Sequence, residues 1–429
     1  MMVNKYLYIL GVKHRNPSLL PYLDFLMESD RWSIEQLKEY QFKKCKELLI
    51  FSQKYSSFYR REFAEVGFNP HNMQTIEDIK KLPIIDKKVL IDYNKEIHTN
   101  YKFKKIIFGE TSGTTGQALG FYRDEEGDSQ NRAALFRGYS WYGVAPWERN
   151  GYFWGYNIDK RQRRKVEFLD LLQNRFRIFS YDEASIRQFI EKMRTATFIE
   201  GYSSMIYEAA KIINKLEHPI DFDLKMVKGT SEKIFDTYQD ETQKAFGKKI
   251  VSEYGSCESG LIAYECPEGG HMHIAMENVY VEEVDGEIVI TNLMFRSFPI
   301  IRYRLGDAIK LAPSDFKCQC GRSHPIILDV LGRIGKNVIG KNNKYPSLTF
   351  YYIFKNIALT KGVNLNYQAI QNEVGNIELN IEQNSPELLS DLQHELVKYF
   401  NSDVSFSIHW GTKLHAMDGK LRDFVTTLE

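Results

Sequence analysis

The chain has 429 residues, 43% apolar and 26% charged, with 57 Lys and Arg against 56 Asp and Glu and a net charge of +1. That length exceeds what one core usually serves, so at least two domains of a globular protein are expected. The balanced charge gives no whole-chain argument for nucleic acid or a membrane surface. Five cysteines argue against a disulfide framework, and no run approaches the roughly 18 apolar residues of a bilayer span.

In chain order, Tyr6-Leu7-Tyr8-Ile9-Leu10 precedes Lys13, His14 and Arg15. The apolar run is too short for a signal-peptide core, so a cytoplasmic location is expected. Residues 17 to about 100 read as helical. Ser33 and Gln36 have capping-box spacing before the amphipathic run 37–55. A further pattern at 59–63 leads to the loop Gly67-Phe68-Asn69-Pro70, and 82–87 reads as a linker before another helix. From 100 to about 310, short apolar runs at 105–108, 150–155, 198–201, 226–227 and 250–254 alternate with helical stretches such as 182–196 and 203–216. Such alternation predicts βαβ units, a largely parallel sheet and an α/β class. Residues 279–284, 286–292 and 300–305 predict antiparallel strands, with Asp285-Gly286 as a hairpin turn. Helices at 348–357 and 385–400 and strands at 377–381 and 404–408 predict a small α+β domain from about Arg333.

Several segments carry chemistry. Thr111-Ser112-Gly113-Thr114-Thr115-Gly116 places four hydroxyls and two glycines in six residues. Glycines let backbone N–H groups turn to an anion and hydroxyls add donors, although an ordinary Gly/Thr turn has the same composition. The Gly-Lys-Ser/Thr ending of a Walker A loop is missing. Glu253-Tyr254-Gly255-Ser256-Cys257-Glu258 follows a strand end, where open α/β sheets bind ligands. Arg302-Tyr303-Arg304-Leu305-Gly306-Asp307 ends in a carboxylate suited to ribose hydroxyls. Gly332-Arg333 sits at the expected domain junction, and Asp418-Gly419-Lys420-Leu421-Arg422 lies near the C-terminus. Taken singly, Tyr254 could be a core aromatic, Glu258 a helix-terminal charge and Lys420 a solvated tail residue.

As an ordered set, these motifs resemble the adenylate-forming superfamily. The likeness is closest to phenylacetate–CoA ligases and their capsular-polysaccharide-locus relatives. Residues 55–65, 82–90, 198–204 and Gly229-Thr230-Ser231-Glu232 also match that pattern, and the resemblance covers about residues 35 to 425. It implies a large N-terminal adenylation domain of mixed sheets and helices, 1–332, and a small mobile α+β lid, 333–429. It also implies a two-step reaction: a carboxylate attacks the α-phosphate of ATP, then a second nucleophile displaces AMP. By the match, residues 111–116 hold the β- and γ-phosphates, Glu258 binds Mg²⁺, Tyr254 stacks on adenine and Asp307 holds the ribose. Lys420 bridges the substrate carboxylate and the α-phosphate, and Arg333 sits by the nucleotide. Ser231, Glu232, Glu253, Gly255 and Ser256 complete the ATP set, with Glu258 and Lys420 as the catalytic pair. Trp141, Tyr142, Tyr202, Gly229 and Thr230 are candidate positions for an aromatic or small organic acid. Coenzyme A is the default acceptor, with an amine or a sugar hydroxyl as the alternative; a homodimer and a non-catalytic nucleotide-binding scaffold are further readings. Two departures stand out. Gln117-Ala118-Leu119 follow Gly116 where relatives carry Pro and often Lys, and Gly335 replaces the family's hinge Asp.

Cys266, Cys318 and Cys320, with His273 or His271, form a second set. Spacing alone leaves zinc and reduced thiols open; the resemblance favours a structural zinc, with His273 as the fourth ligand. Cys257 could approach substrate, and Cys45 reads as helix packing.

Overall fold

The computed structural model describes residues 2–111, 119–153, 160–179, 183–218, 220–232, 234–333, 337–347, 349–415 and 422–428. An eleven-stranded sheet organises most of the chain. Its strand order is Val279–Val284, Glu287–Asn292, Ile300–Leu311, Ile326–Arg333, Met272–Ile274, Gly260–Glu265, Ile250–Ser256, Met226–Thr230, Phe198–Tyr202, Asn150–Phe153 and Arg175–Arg177. The last five strands run parallel, as the alternating pattern predicts. The remaining ladders are antiparallel. Every residue of Phe198–Tyr202 is buried, because crossover helices cover both faces of a parallel sheet.

Local chemistry sets the element ends. Ser33 N–H donates to Gln36 Oε1 at 2.9 Å while Gln36 N–H donates to Ser33 Oγ at 3.3 Å, a complete capping box opening helix Ile34–Tyr55. Its Cys45 is fully buried, so the packing reading of that thiol holds. Asp285 and Gly286 take φ of 55° and 79°, the two positive values that a type I′ hairpin needs. Helices Ile34–Tyr55 and Ser57–Glu65 cover the antiparallel half through Leu48, Leu49, Phe58 and Phe63. Helices Glu183–Met193, Ser203–Asn214 and Asp236–Phe246 cover the parallel half.

The strand predicted at 105–108 does not join the parallel sheet. Ile106–Glu110 pairs antiparallel with Gly120–Asp124 as a separate two-stranded ribbon, not as the strand of a βα unit. After residue 337 the chain forms a separate core around Phe350, Ile353, Leu379, Leu392 and Phe400. It holds a four-stranded sheet in the order Ser405–Trp410, Asn376–Ile381, Tyr367–Glu373 and Phe424–Thr426. It rests on the earlier part of the chain through Lys211 Nζ to Glu382 Oε1 at 2.6 Å and Tyr351 O–H to Asp329 Oδ2 at 2.9 Å.

Candidate nucleotide site and metal-ligand cluster

Ile250–Ser256 is the strand where the sheet changes sense. Met226–Thr230 flanks it in parallel and Gly260–Glu265 antiparallel. Its C-terminal end carries the Tyr254-to-Glu258 motif. Gly255 is required there: a Cβ would lie 2.3 Å from the carbonyl oxygen of Gly260. Beyond the turn, Ser256 N–H donates to Ser259 Oγ at 2.9 Å and Ser259 N–H to Ser256 Oγ at 3.0 Å, which sets the bend that delivers Glu258.

Two phenol–carboxylate bonds then join motifs far apart in sequence. Tyr254 O–H donates to Asp307 Oδ2 at 2.8 Å, and Tyr303 O–H donates to Glu258 Oε1 at 3.1 Å. Glu258 is 5% exposed and Asp307 9%, so both carboxylates are held rather than solvated. Arg333 pairs in register with Asp307 across the neighbouring strand. The ribbon reaches the same place: Cys257 Sγ lies 3.4 Å from the carbonyl oxygen of Glu110. Thr111 closes the neck of the polar loop, with its N–H on the Leu119 carbonyl at 3.0 Å and its Oγ1 accepting from Leu119 N–H at 2.9 Å. Ser112, Gly113, Thr114, Thr115 and Gly116 lie outside the described residues, as does Lys420. Gln368 holds both flanks of the Lys420 segment, donating to the carbonyls of His415 at 2.9 Å and Arg422 at 3.1 Å.

Tyr202 and Thr230 pair in register at the same strand ends, beside Gly229. A Cβ on Gly229 would sit 2.4 Å from the buried Ser203 Oγ. Ser231 takes a left-handed φ of 67° and turns the chain so that Glu232 caps helix Ser203–Asn214, accepting from Ser204 N–H at 2.8 Å. Trp141 and Tyr142 are not brought to this edge. Trp141 Nε1–H donates to Asp30 and Tyr142 O–H donates to the Glu265 carbonyl, at the opposite end of the sheet. The last turn of helix Glu125–Trp141 lies at that far end, with the Trp141 ring edge-on to Tyr264 and His273.

A buried ion ladder that the sequence reading missed supports Glu253. Arg175 Nη2 meets Glu200 Oε1 at 2.9 Å, Glu200 Oε2 meets Lys228 Nζ at 3.0 Å, and Lys228 pairs with Glu253. Tyr139 O–H donates to Glu200. Burial pushes the Glu200 carboxyl up, but Lys228 and Arg175 outweigh it and hold it down to about 2. Burial likewise disfavours the Lys228 ammonium, and Glu200 and Glu253 together raise it well above the ordinary lysine value. The charged residues at alternate strand positions were the available signal; nothing in one sequence says which of them meet.

At the opposite end of the same strands, four ligand-type side chains converge. The donor atoms of Cys266, His273, Cys318 and Cys320 all lie within 4.8 Å of one another. Cys266 Sγ is 3.5 Å from Cys318 Sγ, and Cys320 Sγ is 3.2 Å from His273 Nε2. His273 Nδ1 faces the His324 carbonyl at 3.1 Å, which leaves Nε2 to the sulfurs. Gly269 makes room, since a Cβ there would lie 2.4 Å from Cys318 Sγ. His271 instead packs its ring against Phe316.

Known proteins share this architecture. Protein CapK of Staphylococcus aureus is 22% identical over 408 residues, spanning 90% of this chain and 88% of that protein. The solved structure of 2-hydroxyisobutyryl-CoA ligase, in the postadenylation state with R3-HIB-AMP, superposes with a TM-score of 0.70 at 15% identity, over 93% of this chain and 91% of that one. A GH3.15 acyl acid amido synthetase superposes with a TM-score of 0.57 at 11% identity, over 90% and 88%. No family model matches the chain.

Proposed function

We propose that this chain, which has the fold of the adenylate-forming ligases, activates a carboxylic acid with ATP as an acyl-adenylate and passes the acyl group to a thiol such as coenzyme A. The observation that carries this reading is the Tyr254–Asp307 hydrogen bond, which unites two separate motifs where the sheet changes sense. Ligands of open α/β sheets bind at such a switch.

In the first step the acid's oxygen bonds to the α-phosphorus and pyrophosphate leaves; in the second the thiol sulfur takes the acyl carbon and AMP leaves. Tyr254 offers an aromatic face to adenine, and the Asp307 oxygens accept from ribose hydroxyls. Thr111 to Gly116 wrap the β- and γ-phosphates. Glu258, oriented by Tyr303, would hold Mg²⁺, whose charge offsets that of the triphosphate. Lys420 stabilises the negative charge that develops between the acid and the α-phosphate. Tyr202, Gly229 and Thr230 line the acid's approach, and the lid begins at Arg333. We assign Cys266, Cys318, Cys320 and His273 to a structural zinc, whose tetrahedral demand three thiolates and one imidazole fit.

A second reading has a specific basis. The amido synthetase likeness, with Gln117 and Gly335 at two departures from the family pattern, favours amide or ester formation on a surface-polysaccharide precursor. Carboxylate-dependent ATP–pyrophosphate exchange over a panel of acids, with and without coenzyme A, decides. Exchange with a thioester product supports the first reading, and exchange without one supports the second. No exchange with any acid removes both and leaves a nucleotide-binding scaffold.

A further inference from the structure

Two neighbouring helices carry an apolar surface that the proposed reaction does not use. Helix Met2–Arg15 buries Val12 and packs Tyr8 against Phe136 and Trp147. Its opposite face presents Val3, Tyr6, Leu7 and Leu10 to solvent, at 69%, 66%, 41% and 47% exposure. The spacing i, i+3, i+4, i+7 makes these one continuous stripe. Helix Lys160–Leu172 lies beside helix Met2–Arg15. That helix buries Asp170 and exposes Phe168, Leu169, Leu171 and Leu172, with Leu171 at 73%. Exposed apolar residues scattered singly need no explanation; stripes on two adjoining helices do.

The charge on these helices says what covers them. Residues 2–15 contain no acid, and exposed Lys13 and His14 flank the end of the first stripe. Arg164 and Lys165 are exposed one helical turn before Phe168 and Leu169. The two acids of the second helix are both engaged: Glu167 with Arg163 at 2.9 Å and Asp170 with Arg177 at 2.8 Å. A second copy pressed onto this surface would bring basic residues together with no opposing carboxylates from the same helices. An anionic bilayer meets both demands, taking apolar side chains below the headgroups and cations at the phosphates.

We propose that the helices Met2–Arg15 and Lys160–Leu172 form a docking surface for an anionic lipid bilayer, so that the protein works as a peripheral membrane protein. The net charge of +1 hides this, because the basic residues are gathered locally. Among the described residues no helix is long and apolar enough to cross a membrane, so attachment would be interfacial. The proposal is independent of the nucleotide-site reading.

Vesicle flotation with the full chain tests it. The protein should float with mixed phosphatidylcholine–phosphatidylglycerol vesicles, stay behind with phosphatidylcholine alone, and be released by raised salt. Leu7→Asp with Phe168→Asp should weaken binding at least about tenfold with an unchanged thermal melt. Arg164→Gln with Lys165→Gln leaves the apolar stripes intact and should weaken binding to the anionic vesicles, which keeps the test valid if the first pair fails to fold. Absence of binding, or equal binding to neutral vesicles, overturns the proposal. So does a dimer in light scattering that Leu7→Asp converts to monomer.

Discussion

At one end of the antiparallel pair Ile250–Ser256 and Gly260–Glu265, phenols hold two carboxylates apart from solvent. At the other end, thiols and an imidazole close on one point. The two ends share strands but not logic. Each carboxylate at the first end takes a phenol on one oxygen, an arrangement that orients an acid without neutralising it. At the second end the four donor atoms face one another, the arrangement that the proposed zinc would require. Under the proposed function the first end would turn over substrate and the second would tie strands together, and the two arrangements of donors differ accordingly.

The comparison can be broken by variants that should affect only one end. The largest expected effect is at the sulfur end. Cys318→Ser should abolish stoichiometric zinc in metal analysis and cost about 4 kcal/mol of stability by urea unfolding. Exchange activity of the remaining folded protein should persist; its loss would show that the two ends are one functional unit.

Next is the acid response of the ladder beside the candidate nucleotide end. Glu200 is held down to about 2, below its ordinary unfolded value. Its contribution is therefore present above the unfolded value and lost as pH falls toward 2. From 4.5 to about 2 the linkage amounts to about 3 kcal/mol. Unfolding curves should steepen in acid for the native chain and less so for Glu200→Gln, measured between pH 5 and 2.5. Parallel acid curves would remove the assigned linkage.

Lys420→Ala should cut ATP–pyrophosphate exchange at least about a hundredfold while leaving the melting temperature unchanged. Near-normal exchange would refute its role. The smallest effect is Tyr303→Phe, which removes one hydrogen bond worth about 1 kcal/mol. It should raise the magnesium concentration needed for half-maximal exchange about fivefold, and an unchanged magnesium titration would mean that Glu258 is oriented by something else.

Much of this was readable before any fold was known. The capping box at Ser33, the turn at Asp285-Gly286 and the alternation of short strands with helices are local patterns, and each appears as expected. The family resemblance assigned Tyr254 and Asp307 to one nucleotide and favoured His273 over His271; the Tyr254–Asp307 hydrogen bond and the place of His273 among the three cysteines are seen only in the structure. What could not be read was direction and partnership. Trp141 and Tyr142 have the right residue type for a pocket, but their helix ends at the opposite edge of the sheet. The ribbon strand at 106–110 looks like any βα strand until its partner at 120–124 is known. Tyr303 holds Glu258 across 45 residues, and Lys228 meets two acids from different strands. Such pairings are long-range, and a single chain carries no record of them.

The Arg175–Glu200–Lys228–Glu253 ladder also constrains how this protein can diverge. Loss of one member strands an opposite charge in the interior, at about 3–5 kcal/mol, whereas replacing a complete pair by well-packed apolar residues can be neutral. Single steps through these four positions therefore cross a stability trough that paired steps avoid. Descendants of this sequence should keep the four charges together or lose them in opposite-sign pairs, and the pairs that change together would mark out the ladder by inheritance alone.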